Sequence, residues 1–123
     1  MNNHEADPGS SLRAAAAARL TEAALAAVAR VPLIAMRSRL RGGRRVALAR
    51  QMAMYLAHVG FGLNLTRVGI SFGRDRTTVR HACALIEDRR DDVRLECGLN
   101  ALEVALLAMM NRLEGQVGEA RQW

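Results

Sequence analysis

Between residues 64 and 87 two short helical patterns are separated by Phe72-Gly73-Arg74, and this junction constrains the fold of the chain more than any other feature. Asn64 or Thr66 can cap the first pattern, which contains Arg67, Val68 and Ile70. Asp75 is placed to cap the second, with its carboxylate on the free N–H groups of the first turn. Within that second helix Val79, Ala82, Cys83 and Ile86 recur at i, i+3, i+4 and i+7, the spacing of a core-facing stripe. Thr77, Arg80, His81 and Ala84 fall on the opposite face. Two helices joined by a short glycine-containing turn form a helix-turn-helix. The exposed first turn of the second helix carries Arg and Thr, which suit phosphates and base edges.

The remaining sequence extends the helical reading. Of 123 residues 50% are hydrophobic and only 3% aromatic. The apolar mass is therefore Ala, Leu, Val and Met, which favours helices over strands. Six helical segments are predicted, giving an all-α, compact domain. The first runs from a Ser10 or Ser11 cap to about Ala29, with Leu12, Ala16, Leu20, Ala23 or Ala24, and Ala27 or Val28 on its apolar side. Pro32 opens a short second helix ending near Arg37. A basic glycine loop at 39–44 precedes a third helix from about Arg45 to Val59, with Val46, Ala49, Ala53, Leu56 and Ala57 inward. The helix-turn-helix and a final segment complete the six. The expected division is a disordered tail at 1–9, a DNA-binding domain at 10–114 and a flexible tail at 115–123.

Charge is concentrated where the motif lies. All 18 basic residues are Arg, and the formal net charge is +6. Residues 31–82 hold ten Arg against a single acid, Asp75, a block of +9, whereas the rest of the chain is −3. Such a block is an electrostatic footprint for a polyanion.

Several function classes are disfavoured. Without lysine there is no P-loop grip on a nucleotide phosphate and no Schiff-base chemistry. Two Cys do not build a disulfide framework, and Cys83 and Cys97 read as reduced thiols. His4, His58 and His81 lack metal-ligand spacing. No cofactor, no metal and no enzymatic activity are expected. The apolar stretch 14–18 is far short of the ~20 residues a membrane span requires. The acidic opening does not fit a secretory signal. A cytoplasmic, nucleoid-associated protein is expected, without a membrane partner.

Three runs carry a family resemblance: Ala49-Arg50-Gln51-Met52-Ala53-Met54-Tyr55-Leu56-Ala57, Leu65-Thr66-Arg67-Val68-Gly69, and Phe72-Gly73-Arg74-Asp75-Arg76-Thr77-Thr78-Val79-Arg80-His81-Ala82-Cys83. Together they resemble the C-terminal DNA-binding domain of the bacterial replication initiator DnaA. The resemblance covers roughly residues 17–113. It implies a stand-alone relative of that domain without the initiator's ATPase module, similar to the DnaA-like module of regulators that activate gene-transfer-agent genes. It further implies that the second helix of the motif enters the major groove. Asp75, Arg76, Thr77, Thr78 and His81 then face base edges. Asp75 serves equally as a helix cap, and one carboxylate can do both; core packing is the alternative for His81. Arg76 stands where the family usually has His, which implies an altered base preference, because Arg pairs with guanine O6 and N7. Arg50, Gln51, Thr66, Arg67, Arg74 and Arg80 are the implied phosphate contacts. The family inserts a loop arginine into the minor groove; Gly42 stands at that position here, and either Arg41 or Arg44 beside it is the candidate.

The final segment carries Leu95, Leu99, Leu102, Leu106, Met109 and Leu113 at alternating spacings of four and three, a heptad-like seam. Val104, Ala105, Leu107 and Met110 widen it, so 95–113 either packs wholly on its own domain or meets a partner. The partner would be a second regulator, RNA polymerase or a second copy, and Trp123 is a candidate docking element. The expected function is sequence-specific binding of double-stranded DNA as a transcription regulator, an activator of gene-transfer-agent genes being one form of it. The alternative is a modulator of replication initiation that occupies initiator boxes or pairs with the initiator.

Overall fold

The structure, a computed structural model, describes residues 8–38 and 42–120. Six helices and no strand are present among them. They are α1 (Pro8–Ala29), α2 (Leu33–Arg37), α3 (Gly43–Tyr55), α4 (Leu65–Phe72), α5 (Arg76–Arg89) and α6 (Val93–Ala120). The all-α expectation therefore holds. α3 continues into a π-helical turn, Leu56–Gly60, closed by Phe61 N–H donating to the Leu56 carbonyl at 3.0 Å. His58 Nδ1 lies 2.6 Å from the Leu63 carbonyl and steadies the chain as it leaves that turn.

α3 is the axis of the fold. Its Val46, Ala49, Ala53, Met54 and Tyr55 are buried, as are Leu56 and Ala57 beyond it. α1 packs along one side and α5 along another. Small residues line the facing sides of α1 and α3: Ala17, Ala18 and Ala26 on one, Ala49 and Ala53 on the other. Such surfaces permit close helix approach, near the lower end of the usual 8–10 Å range.

The apolar side predicted for α1 is not the one buried. Leu12, Ala16, Ala23, Ala27 and Val28 are exposed, Leu20 and Ala24 half-buried. The buried set is Ala14, Ala17, Ala18, Thr21, Glu22, Leu25 and Ala26. An alanine-rich helix offers an apolar stripe at nearly every rotation, so side-chain bulk alone does not choose the face. Charge contributes to the choice: buried Glu22 accepts from Arg37 Nε at 3.0 Å, and Arg19 Nε lies 3.5 Å away. Thr21 satisfies its own buried hydroxyl on the Ala18 carbonyl at 2.9 Å.

Other helix limits shift by a residue or two. Pro32 sits at the N-cap of α2 rather than inside it. α1 begins at Pro8, ahead of the serines expected to cap it. α6 runs through Gly115 and Gly118 to Ala120 instead of ending near 114. Its seam divides: Leu99, Leu106 and Met110 are buried and Leu95, Leu102 and Leu107 half-buried, while Met109 and Leu113 are exposed. Met110 thus belongs to the core, and the outward widening comes from Val104 and Ala105.

Tyr55 ties the ends of α3, α5 and α6 together. Its hydroxyl donates to Glu87 Oε2 at 2.5 Å and accepts from Arg90 Nη1 at 2.9 Å. Arg90 also reaches Glu96 and Asn100 on α6 and lies over the Tyr55 ring, 5.6 Å from its centroid. Burial and the Glu87 carboxylate push the Tyr55 phenol above its ordinary range.

Candidate nucleic-acid interface

The helix-turn-helix is built by α4 and α5. Asn64 caps α4, its side chain accepting from Arg67 N–H at 2.8 Å. Gly73 ends α4 in the left-handed region, φ 67°, a conformation that costs glycine least. The chain then folds back so tightly that a Cβ on Gly69 would lie 2.5 Å from the Arg74 carbonyl oxygen. Glycine at 69 is thus a condition of the turn. Asp75 caps α5, accepting from Thr78 N–H at 2.7 Å. The Thr78 amide, followed by the Thr78 hydroxyl, holds the Asp75 carboxyl below its ordinary range.

α5 anchors itself through Val79, Ala82 and Ile86, all buried, with Cys83 half-buried beside them. Burial, with Glu87 nearby, pushes the Cys83 thiol up, so it stays protonated. Asp75, Arg76, Thr77, Thr78, Arg80 and His81 are all exposed on the first turns of the helix. His81 is therefore not a core residue. The core stripe and the outward polar face fall where the spacing predicted.

The other expected contact residues have mixed settings. Thr66 is exposed and Gln51 half-buried. Arg67 reaches back to Ser11 Oγ at 3.3 Å, joining α4 to the start of α1. Arg50 and Arg74 converge on the end of α2. Arg50 Nε donates to the Met36 carbonyl at 2.9 Å, and its Nη2 donates to Ala35 at 3.0 Å and Ser38 at 3.4 Å. Arg74 Nη2 donates to the same Ser38 carbonyl at 2.9 Å. Burial, and then the charge of Arg74, lower the Arg50 pKa from its ordinary value. The two guanidiniums thus complete the carbonyl end of α2, where cations are favoured. They also fix where the basic loop departs relative to the motif's turn. Sequence reasoning assigned both only to phosphate; the organising role depends on contacts between residues 12 to 36 positions apart. Each guanidinium carries five N–H donors, so holding carbonyls does not exhaust it.

Arg44 and Arg45 are exposed at the start of α3. With Gln51 and Arg89 they line a cleft of about 620 Å³ between α3 and the far half of α5. Arg89 was not anticipated, because it stands among Glu87, Asp88, Asp91 and Asp92 and the local charge hides it. Arg41 and Trp123 lie outside the described residues. Among the described residues no group of His, Cys, Asp or Glu has the arrangement to hold a metal, and no helix is long and apolar enough to cross a membrane.

A capped helix, anchored by its inner stripe, carrying Arg, Thr and His outward and joined to α4 by a tight glycine turn, defines the chain as a helix-turn-helix DNA-binding domain. Family comparison agrees: the family model for the bacterial dnaA protein helix-turn-helix matches residues 19–86. The chain belongs to that family. Two relatives are chromosomal replication initiator proteins DnaA. That of Bifidobacterium animalis subsp. lactis is 48% identical over 50 residues, covering 40% of this chain and 9% of the relative. The DnaA 1 protein of Protochlamydia amoebophila is 46% identical over 55 residues, covering 42% and 12%. The chain thus spans only about a tenth of these relatives. No solved structure matches.

Proposed function

We propose that the protein is a sequence-specific regulator of transcription that reads duplex DNA with the first turns of α5. The observation that carries this reading is the exposed Asp75-Arg76-Thr77-Thr78 turn, with Arg80 and His81 next along the helix, held by a buried inner stripe. In this reading Arg76, Thr77, Thr78 and His81 meet base edges, and Asp75 both caps the helix and faces a base. Gln51, Thr66, Arg67, Arg74 and Arg80 meet phosphates, with Arg50 holding the loop exit and offering its remaining donors. Arg41 or Arg44 enters the minor groove. Arg45 and Arg89 extend the basic track.

A second reading is supported by the printed identity of the relatives, which are replication initiators. In it the protein occupies initiator boxes and modulates replication. Genome-wide occupancy, with binding-site selection from random duplexes, separates the two. Peaks at promoters are expected; peaks confined to the replication origin would favour the second reading, and no duplex preference at all would defeat both.

A further inference from the structure

The stripe that seats α6 on the domain does not stop where the domain stops. Leu99, Leu106 and Met110 are buried against the body of the fold. Along the same side of the helix, three and four residues at a time, come Leu113 and Val117, 51% and 57% exposed, with Met109 at 47% beside them. α6 therefore carries apolar surface roughly two turns beyond its own core, with Leu113 on the seam, Gln116 following on it and Val117 beside it. The match to the family model ends at residue 86, before α6 begins.

We propose that the distal part of α6 pairs antiparallel with the same segment of a second copy of this chain. The charges beside the seam argue for this occupant. With Leu106 and Leu113 at the a positions of a heptad and Leu102 and Met109 at d, Arg112 and Glu119 both occupy g. They stand seven residues apart on one flank of the seam, about 10 Å along the helix. Neither has an ion pair or hydrogen bond among the described residues. In an antiparallel pair the g positions of one helix face the g positions of the other, so Arg112 meets Glu119 of the second copy twice over, by symmetry. A parallel pair would set Arg112 against Val117, with no complement for its charge. An isologous twofold contact of this kind closes on itself. Each body reaches along α6 as far as Glu114, which Arg13 of α1 meets at 3.0 Å, so the bodies flank the start of the paired segment.

The interface is small. Three turns of helix fall short of the ~1,200–2,000 Å² that stable complexes bury, so the pair is weak in free solution. It fills when two copies are held on neighbouring sites, where tethering supplies effective concentrations in the millimolar range; this last step alone rests on the DNA-binding reading.

Sedimentation equilibrium of the full chain without DNA, at concentrations up to about 1 mM, tests the pairing directly. The weight-average mass is expected to rise above the 13.4 kDa of the monomer as concentration increases. Leu113→Glu should reduce the association constant by about tenfold or more, the loss expected for a buried leucine. Arg112→Glu should weaken association by placing like charges together, and adding Glu119→Arg should restore it. All three sites are exposed, so circular dichroism and melting should show the fold intact. A monomer at every concentration, association indifferent to Leu113→Glu, or a charge swap that fails to restore the pair would each overturn the proposal. Loss of DNA binding with the dimer intact would count only against the function proposed above.

Discussion

At the scale of single residues the proposed interface predicts different responses from groups that face outward and groups that also hold the fold. Thr77 and Arg76 reach outward with no structural duty, so Thr77→Ala or Arg76→Ala should relax sequence preference and cost about 1–3 kcal/mol on the best site. Competition binding against a panel of single-base variants checks this; equal losses on all duplexes would reject base readout. Arg50 has a different kind of role. It satisfies carbonyls at the end of α2, so Arg50→Ala should weaken good and poor DNA sites alike and also lower folding stability by about 1–3 kcal/mol, because carbonyl groups lose their donor. Chemical denaturation of the unbound protein reads the second effect; unchanged stability would return Arg50 to a purely external role. Asp75 has a pH signature. Its folded carboxyl is held below the ordinary range by the Thr78 amide. A depressed acid contributes stability that is present above its unfolded value, ~3.9, and is lost as pH falls through the lower folded value. Acid unfolding of Asp75→Asn should lose that part of the pH dependence while keeping a cap, whereas Asp75→Ala should lose both; wild-type and Asp75→Asn curves of identical shape below pH ~4 would contradict the cap.

At the scale of the helices, two helical glycines should respond in opposite directions to the same substitution. Gly69→Ala drives a Cβ toward the Arg74 carbonyl at 2.5 Å, so the turn between α4 and α5 must open. A loss of about 1–3 kcal/mol follows, together with weaker DNA binding, since α5 is displaced. Gly115→Ala meets nothing within 4 Å and removes a helix-interior glycine, which should add roughly 0.5–1 kcal/mol of helix stability. Paired melting curves decide both, and a neutral Gly69→Ala would mean that the turn is looser than it is built. The same contrast explains what could be seen in the sequence. α3, α4 and α5 were legible because each has one clear apolar stripe, and α4 and α5 also carry a capping side chain at the start. α1 was not, because a run of alanines satisfies many rotations and the choice depends on Glu22 meeting Arg19 and Arg37 across the fold. The outward set on α5 followed from the stripe beneath it. The roles of Arg50 and Arg74 did not, because they depend on where α2 ends, and Arg89 was hidden by the acids around it.

At the scale of the molecule, charge is sorted along the recognition helix. The +9 block at residues 31–82 supplies the loop, the start of α3 and the first turns of α5, while Glu87, Asp88, Asp91 and Asp92 gather at and after its far end. A polyanion is therefore drawn to the first turns of α5 and to the Arg44, Arg45 and Arg89 cleft beside its far half, while the acids at and after its end limit how far that positive surface runs, which biases the approach of the domain. If about six guanidiniums displace counterions, log K should fall against log salt with a slope near −5. Arg80→Ala and Arg67→Ala should each lower that slope by about one, because each is proposed to meet one phosphate. Thr77→Ala should change K on the preferred duplex while leaving the slope where it was, since a hydroxyl or methyl at a base edge releases no counterion. Fluorescence anisotropy over a salt series measures all four proteins on one duplex. A wild-type slope shallower than about −2 would mean that no more than two or three phosphates are neutralised. The basic block would then be a solvated face, and the orientation of α5 toward DNA would need another cause.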